Sequence, residues 1–199
     1  MAVRATLAPL ITRTRLLVND PSSTTQIFAD QDVQDVLDAT RTDVYNQSLT
    51  PQATFINGSI LYLDYFATRG DWEDGAVFKQ ALTLAVTPSL AEPIAGHWQF
   101  ATTTLPPVYI TGKNYDVYRA AADLLERWSA RVALNFDFTS DNQTFRRSQA
   151  ATALQQLART YRAKQRPVSI TARRGDLNIG QTSGVGLDPT PFDYMDMGD

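Results

Sequence analysis

Apolar residues recur at every third or fourth position through much of the second half of the chain, a spacing that places them on one face of an α-helix. Two amphipathic helices are predicted there, an alanine-rich helix at about 115–138 and an arginine-rich helix at about 145–164. Small polar residues at 139–142 favour a turn between them and therefore a helical hairpin. The residues predicted to form its core are Tyr118, Leu125, Trp128, Val132, Leu154 and Leu157.

Two shorter helices are predicted near the start of the chain. The first carries apolar residues at helical spacing from Leu7 to Val18 and ends before the polar stretch 19–23. The second begins with Asp30 as its capping residue and continues to about Tyr45. Its apolar face is predicted to comprise Val33, Val36, Leu37 and Val44.

Between 47 and 112 the pattern changes to short runs rich in β-branched and aromatic residues, which indicate strands at 60–63, 77–86, 98–100 and 108–110. After 174, glycine and proline are frequent and helical spacing is lost, so this segment cannot bury enough apolar surface to fold by itself. The predicted fold class is α+β. It has a mainly α-helical bundle core formed by 1–46 and 113–174, a β-rich insertion at 47–112, and an extended, flexible acidic tail at 175–199.

The composition narrows the class of protein. A chain of 199 residues, 43% hydrophobic and 20% charged, fits a globular domain with a sizeable core. No apolar run approaches the roughly 20 residues of a membrane-spanning helix, and the first residues lack the pattern of a secretory signal. We therefore expect no membrane contact and synthesis in a cytoplasm. The absence of cysteine excludes disulfides and thiolate metal sites.

Charge is unevenly distributed along the chain. The net charge of −3 conceals a basic segment at 146–174, which has eight basic residues and no acidic one, followed by an acidic tail. We hypothesise that this segment forms an interface, and its basic residues are Arg146, Arg147, Arg159, Arg162, Lys164, Arg166, Arg173 and Arg174. The hypothesised anchors that would let the tail order on a partner are Phe192, Tyr194, Met195 and Met197.

Three features carry potential chemistry, and each has a simpler interpretation. His97 is the only histidine, so metal or triad chemistry lacks partners and an ordinary strand or turn residue is favoured. Asp71, Glu73 and Asp74 surround Trp72 and could bind a cation, but without calcium-loop spacing a solvated loop is favoured. The tail glycines lack the lysine of a phosphate-binding loop. We predict no catalytic residue, no metal site, no cofactor and no enzymatic activity.

The order of the helices resembles that of the head-tail connector, or adaptor, proteins of long-tailed double-stranded DNA bacteriophages. The resemblance rests on YDVYRAAADLLERWSAR at 115–131, FTSD at 138–141, FRRSQ at 145–149 and LQQLAR at 154–159. FADQDVQDVL at 28–37 resembles the opening of the same family. Together these segments cover about half of the chain, and the large β insertion departs from the smaller family members.

The resemblance implies a virion structural protein that forms a ring, commonly twelvefold, below the portal. Double-stranded DNA would pass through its central channel without sequence recognition. The implied partners are the portal protein, engaged by a terminal segment, further copies of the chain, and a tail or neck protein. The implied location is the head-tail junction, after assembly in the host cytoplasm, with the basic segment as a candidate subunit or portal interface.

Two alternatives to the adaptor function remain open. The chain could be another neck or tail-completion protein, because each of these is a small ring-forming subunit. It could also be a DNA-binding regulatory protein that uses the basic segment 146–174, since clustered arginines release counterions when they bind a duplex.

Overall fold

The computed structural model describes residues 3–56, 58–133, 138–140, 143–145 and 147–166. They belong to a compact unit that spans Met1–Arg166. Its α-helices are α1 (Ala8–Val18), α2 (Asp30–Ala39), α3 (Val117–Ala133) and α4 (Arg147–Lys164), and a short 3-10 turn at Ala5–Leu7 precedes α1.

Ten strands are assigned within the same described ranges, and they form three antiparallel sheets. They are β1 (Thr42–Ser48), β2 (Thr50–Ile56), β3 (Ser59–Phe66), β4 (Val77–Gln80), β5 (Leu84–Val86), β6 (Leu90–Glu92), β7 (His97–Gln99), β8 (Val108–Asn114), β9 (Phe138–Ser140) and β10 (Gln143–Phe145). One four-stranded sheet has the order β1-β8-β4-β5, and a second has the order β2-β3-β7-β6. β9 and β10 form a separate hairpin.

The prediction of a mainly helical bundle core is wrong, because the strands build a second core of their own. The fold is α+β, with two four-stranded antiparallel sheets beside the helices. The core between the sheets contains Leu49, Tyr65, Trp72, Phe78, Trp98, Phe100, Val108 and Ile110. Large aromatic side chains dominate it, and the rings of Trp72 and Trp98 meet edge to face at 5.9 Å.

The helical core is formed by all four helices and is dominated by leucine, valine and alanine. Leu125 is fully buried within it, while Tyr118, Trp128, Leu154 and Leu157 are partly buried against it. Val132, near the end of α3, is half-buried. The hydroxyl of Tyr161 on α4 also donates a hydrogen bond to the Leu17 carbonyl at 2.9 Å, which ties α4 to the end of α1.

The second predicted helix is shorter than expected. α2 ends at Ala39, where Thr40 leaves the helical conformation and its hydroxyl bonds the Leu37 carbonyl at 2.9 Å. The residues expected to extend the helix, including Val44 and Tyr45, instead lie in β1, where Val44 pairs with Gly112 of β8. Val44 matches the helical spacing of α2 by coincidence, and pairing with a strand about 65 residues away overrides that local signal.

Asp30 does not act as the predicted helix cap. It is the first residue of α2, and its carboxylate accepts hydrogen bonds from the buried guanidinium of Arg15 at 2.9 and 2.7 Å. Asp32 takes over the capping function, since its side chain accepts the backbone N–H of Ala29 at 3.0 Å. Arg15 also binds Asp20 and the Phe28 carbonyl, so it holds together the loop between α1 and α2.

The other predicted elements are confirmed with shifted boundaries. α1, α3 and α4 lie where the helical periodicity indicates, although α3 ends at Ala133, before the predicted end at about 138. The predicted link between α3 and α4 is the β9–β10 hairpin instead of a simple turn. β2 and β6 have no counterpart among the predicted strands. None of the helices in the described ranges is long and apolar enough to cross a bilayer.

We expect Leu125→Ala to lower the free energy of unfolding by about 2–5 kcal/mol, because it removes a fully buried side chain and leaves a cavity. Leu16→Ala is the matched control, since Leu16 lies on α1 and is 68% exposed, and its effect should stay within about 0.5 kcal/mol. Chemical denaturation of the two variants measures the difference. Equal losses would contradict the placement of the helical core.

Candidate functional site

The candidate interface residue Arg162 on α4 forms ion pairs with residues of α3 in the same chain. Its guanidinium lies 2.5 Å from the Asp123 carboxylate and 2.9 Å from that of Glu126, both on α3. The hydrogen bond to Glu126 is the main reason that the pKa of Arg162 is raised above its usual value. Tyr161 and Lys164 near the end of α4 contact Tyr118 at the start of α3, so the two helices run antiparallel.

Arg166 is also engaged within the chain, at the point where the described residues end. Its backbone N–H donates to the Asp116 carboxylate at 2.7 Å, and its side chain binds the Asp71 carboxylate and the Gly70 carbonyl at 3.1 and 3.0 Å. A further bond joins its guanidinium to Asn114 at the end of β8. These contacts hold the end of the α4 segment against the junction of β8 and α3.

Two of the predicted interface residues are exposed on the same helix. Arg159 is exposed, and Lys164 is exposed with its ammonium group 5.9 Å from the centre of the Tyr118 ring. A shallow depression of about 250 Å³ lies elsewhere on α4 and is lined by Gln149, Thr152, Ala153 and Gln156. α4 therefore presents both a basic surface and an uncharged polar surface.

The remaining predicted interface residues can be placed only in part. Arg147 is the first residue of α4. The other candidates lie outside the residues that the structure describes, namely Arg146, Arg173 and Arg174 of the basic segment and Phe192, Tyr194, Met195 and Met197 of the tail. The interface hypothesis therefore rests on Arg159 and Lys164 within the described part of the chain.

The acidic loop at 71–74 is not the solvated loop that was expected. Asp71 and Glu73 are buried, and Trp72 between them is 1% exposed in the core of the sheets. The Asp71 carboxylate lies 2.9 Å from the Arg13 guanidinium on α1 and also binds Arg166. Because these arginines come from distant parts of the chain, the local sequence gives no sign that the carboxylate is paired.

Glu73 has partners on both oxygens of its carboxylate. Its carboxylate accepts hydrogen bonds at 2.7 Å from the hydroxyls of Tyr115 and Thr6, and it lies 3.3 Å from the Arg4 guanidinium and 3.6 Å from the Lys113 ammonium. The loop therefore ties the first residues of the chain to β8 and α3. We call Arg4, Arg13, Asp71, Glu73, Tyr115 and Arg166 the junction network.

Burial and pairing act differently on the two carboxyl groups. Burial raises the pKa of Asp71, and the positive charges of Arg13 and Arg166 offset only part of this effect. Burial also acts to raise the pKa of Glu73, but the hydrogen bonds from Tyr115 and Thr6 and the charges of Arg4 and Lys113 outweigh it. The pKa of Glu73 is therefore lowered. Burial and the bond to Glu73 raise the pKa of the Tyr115 hydroxyl.

An open cleft of about 430 Å³ lies beside the junction network. It is lined by Arg4, Thr6, Glu73, Asp74, Gly75, Ala76, Gly112 and Lys113. Its charged side chains are of both signs, and the Glu73 carboxylate already accepts hydrogen bonds from Tyr115 and Thr6, so Glu73 is poorly placed to act as a general base. The described residues include no cluster of His, Asp and Glu that could hold a metal ion.

His97 is a strand residue with two carboxylate neighbours. One ring nitrogen lies 2.9 Å from Asp64 and the other 3.3 Å from Glu92, and the ring stacks on Phe66 at 4.7 Å between centres. Both nitrogens are therefore occupied, which agrees with the interpretation of His97 as an ordinary strand residue. The absence of enzymatic activity stays a prediction.

Comparison of the chain with protein-family models, with curated proteins and with solved structures found no match. The resemblance seen in the sequence is therefore a hypothesis, and any function has to be argued from the residues of this chain. The junction network holds the end of α4 in place, and the exposed residues Arg159 and Lys164 of α4 are accessible to a binding partner.

We expect Glu73→Gln to lower the free energy of unfolding at pH 7 by about 1–3 kcal/mol, because Arg4 and Lys113 lose a buried partner. Folding lowers the pKa of Glu73 from its ordinary value of 4.5, so the charged carboxylate stabilises the protein fully at pH values above 4.5. This contribution is lost as the pH falls through the lowered pKa. The difference between the variant and the parent should therefore shrink in acid.

Urea denaturation at pH 7 and at pH 3 tests this expectation. Asp74→Asn is the matched control, since Asp74 is the exposed neighbour of Glu73 and should change stability little at either pH. A difference between Glu73→Gln and the parent that is the same at both pH values would show that the charge of Glu73 does not stabilise the fold.

Proposed function

We propose that this chain is a virion structural protein, a head-tail adaptor that forms a ring below the portal around the DNA channel. The observation that carries the proposal is the antiparallel pair of α3 and α4, joined by a short hairpin. Most described residues of the segments that resemble the adaptor family fall on consecutive elements: 117–131 on α3, 138–140 on β9, 145 on β10, and 147–149 and 154–159 on α4. The segment at 28–37 leads into and forms most of α2.

The charge distribution of α4 supports an assembly surface on this helix. A ring subunit needs surfaces that meet its neighbours, and an exposed helix face can supply one of them. Arg159 and Lys164 are exposed on α4, whereas Arg162 and Arg166 are paired within the chain. The proposed subunit or portal interface therefore centres on Arg159 and Lys164.

The same pairing counts against the regulatory alternative. Arg162 and Arg166 each contact two or more acidic or polar groups of their own chain, so they are poorly placed to neutralise phosphates. The basic segment therefore offers a duplex fewer positive charges than its sequence implies. Passage of DNA through a ring needs no such tight binding. Another neck or tail-completion protein is the nearest alternative, and portal binding separates the two.

Light scattering of the purified protein, alone and mixed with its cognate portal ring, tests the proposal. We expect stoichiometric association with the portal, and we expect truncation after residue 174 to weaken it if the tail engages the portal. An absence of association, together with duplex binding that falls steeply with salt, would favour the regulatory protein instead. An absence of both would favour another level of the neck.

We expect Arg159→Glu to weaken portal or subunit association at least about tenfold, which corresponds to ~1.4 kcal/mol. The variant should fold normally, since Arg159 is exposed and its side chain is not part of the helical core. Lys79→Glu is the matched charge reversal, because Lys79 is exposed on β4, away from the helices. Equal association of both variants and the parent would contradict a role for the basic face of α4.

A further inference from the structure

α4 contributes little to the core that holds the helices together. The buried side chains of this core come mainly from α1, α2 and α3, and within the described ranges Ala158 is its one buried member from α4. The larger apolar residues Leu154, Leu157 and Tyr161 are only partly buried against it. A buried methyl group contributes far less to stability than a fully buried leucine or phenylalanine side chain. The apolar contacts that hold α4 are therefore few.

The position of α4 at the side of the fold explains this limited burial. Among the described elements, α4 packs mainly against α3, whereas α3 also packs against α1 and α2. The other side of α4 is exposed, and Gln149, Gln156, Arg159 and Thr160 are among its exposed residues. An element with one main neighbour can separate locally without opening the rest of the core. α4 therefore meets the structural requirement for local unfolding.

An ion-pair cluster joins α4 to α3. We call Arg162, Asp123 and Glu126 the arginine clamp. The hydrogen bond to Glu126 and the charges of both carboxylates raise the pKa of Arg162, although burial acts in the opposite direction. The pairing therefore favours the charged guanidinium and stabilises the docked helix. All three side chains are partly exposed, so dissolved salt and competing carboxylates can weaken the clamp.

Arg166 makes the second polar contact, just after α4, with a less favourable balance. It binds the Asp71 carboxylate and the Gly70 carbonyl beside the junction of β8 and α3. Burial lowers the pKa of Arg166 and raises the pKa of Asp71, so each charged group is less favourable here than in water. The cost of removing the two charges from water offsets part of their attraction. This contact positions the end of α4, but the arginine clamp contributes more to holding it.

The contacts of Arg15 provide a comparison within the same protein. The Arg15 side chain is 2% exposed and binds Asp20, Asp30 and the Phe28 carbonyl in the loop between α1 and α2. Salt screens such a buried group much less than an exposed one. The Arg162 side chain is 35% exposed. The arginine clamp is therefore accessible to the solvent, whereas the contacts of Arg15 are closed to it.

Separation of α4 from α3 would change the surface that the protein presents. The Tyr118 ring lies 5.9 Å from the Tyr161 ring and is near the Lys164 ammonium group, so the end of α4 covers part of it. Detachment would uncover this ring and release the guanidinium groups of Arg162 and Arg166. Because α4 contains no Asp or Glu, its own residues would not neutralise the released charges.

We propose that α4 is a detachable arm, which separates from α3 as a unit while the other helices and both four-stranded sheets stay folded. The docked state exposes Arg159 and Lys164, and the detached state adds Arg162, Arg166 and the ring of Tyr118 to the surface. This inference goes beyond the adaptor proposal and does not depend on it, because it follows from the burial and charge of α4. Portal binding is measured separately, so either proposal can fail without the other.

The chemistry of the arginine clamp indicates which partner favours the detached state. Arg162 is held by two carboxylates that lie three residues apart on one helix. An acidic protein surface that presents carboxylates at a similar spacing competes for the same guanidinium. Such a partner binds the detached state better than the docked state and therefore shifts the equilibrium toward detachment.

Hydrogen exchange of the unmodified full-length protein, followed by mass spectrometry, tests the arm. Amides at 151–164 should exchange together and at least about tenfold faster than amides at 117–125 on α3. Raising sodium chloride from about 0.1 to about 1 M shortens the screening length from about 10 to about 3 Å and should accelerate the exchange of α4 at least about twofold. One common rate for α3 and α4, or exchange that progresses gradually from one end of α4, would overturn the proposal.

Substitution of the arginine clamp gives the second test. Arg162→Gln removes the charge and should raise the exchange rate of α4 about three- to tenfold, with α1 and the sheets unchanged. Arg41→Gln is the matched control, because Arg41 pairs with Asp43 and its side chain is 39% exposed. It should leave the exchange of α4 unchanged. Equal rates in the parent and both variants would show that the clamp does not control detachment.

A buried thiol measures detachment independently, since the chain has no cysteine of its own. Ala158→Cys places a thiol on the buried side of α4, and Ala120→Cys places one at an equally buried position on α3. We expect the thiol of Ala158→Cys to react with a dithiobenzoate reagent at least about tenfold faster than that of Ala120→Cys. Equal reaction rates would overturn the proposal.

The same thiol tests the partner chemistry at constant ionic strength. Poly-glutamate should increase the reaction rate of Ala158→Cys at least about twofold, and Arg162→Gln in the same protein should remove this increase. Duplex DNA at the same concentration of charge should have a smaller effect. A larger effect of the duplex, or no effect of poly-glutamate, would overturn the assignment of an acidic protein surface.

Discussion

Asp71 and Glu73 lie two residues apart on the connection between β3 and β4, and each is surrounded by groups from distant parts of the chain. Asp71 meets Arg13 from α1 and Arg166 from the end of α4, while Glu73 meets Arg4, Thr6, Lys113 and Tyr115. Buried carboxylates are tolerated only when such partners are present, so the sheets and the helices must be assembled together to satisfy them. Trp72 places the same loop firmly in the aromatic core of the sheets.

This junction organises the two cores of the protein. The aliphatic core of the helices and the aromatic core of the sheets share few side chains, and the loop 71–74 is where polar groups from both sides converge. Gly70 allows the backbone before this loop to lie close to the backbone at Ile94, since a Cβ at position 70 would be 2.2 Å from the Ile94 carbonyl oxygen. Arg166 then reaches the Gly70 carbonyl, and the end of α4 becomes fixed relative to β8.

The helices and the strands expose surfaces of different chemistry. α4 exposes Arg159 and Lys164 in a polar setting, whereas the β2–β3 hairpin exposes the apolar side chains of Phe55 and Ile60. A subunit that assembles with its own copies and with a different partner needs surfaces of different chemistry, because a single surface would not discriminate between them. The proposed adaptor function uses the exposed face of α4.

The amino-acid sequence by itself determined α1, α3 and α4 and about half of the strands, namely β3, β4, β5, β7 and β8, because the local pattern of apolar residues marks these elements. It did not determine the end of α2 or the existence of β1, since Val44 continues the helical spacing of α2 and only its pairing with β8 makes it a strand residue. It also gave no indication that Arg162 and Arg166 are paired or that Asp71 and Glu73 are buried. Those outcomes depend on partners 36 to 95 residues away, and such contacts exist only once the tertiary structure brings the segments together.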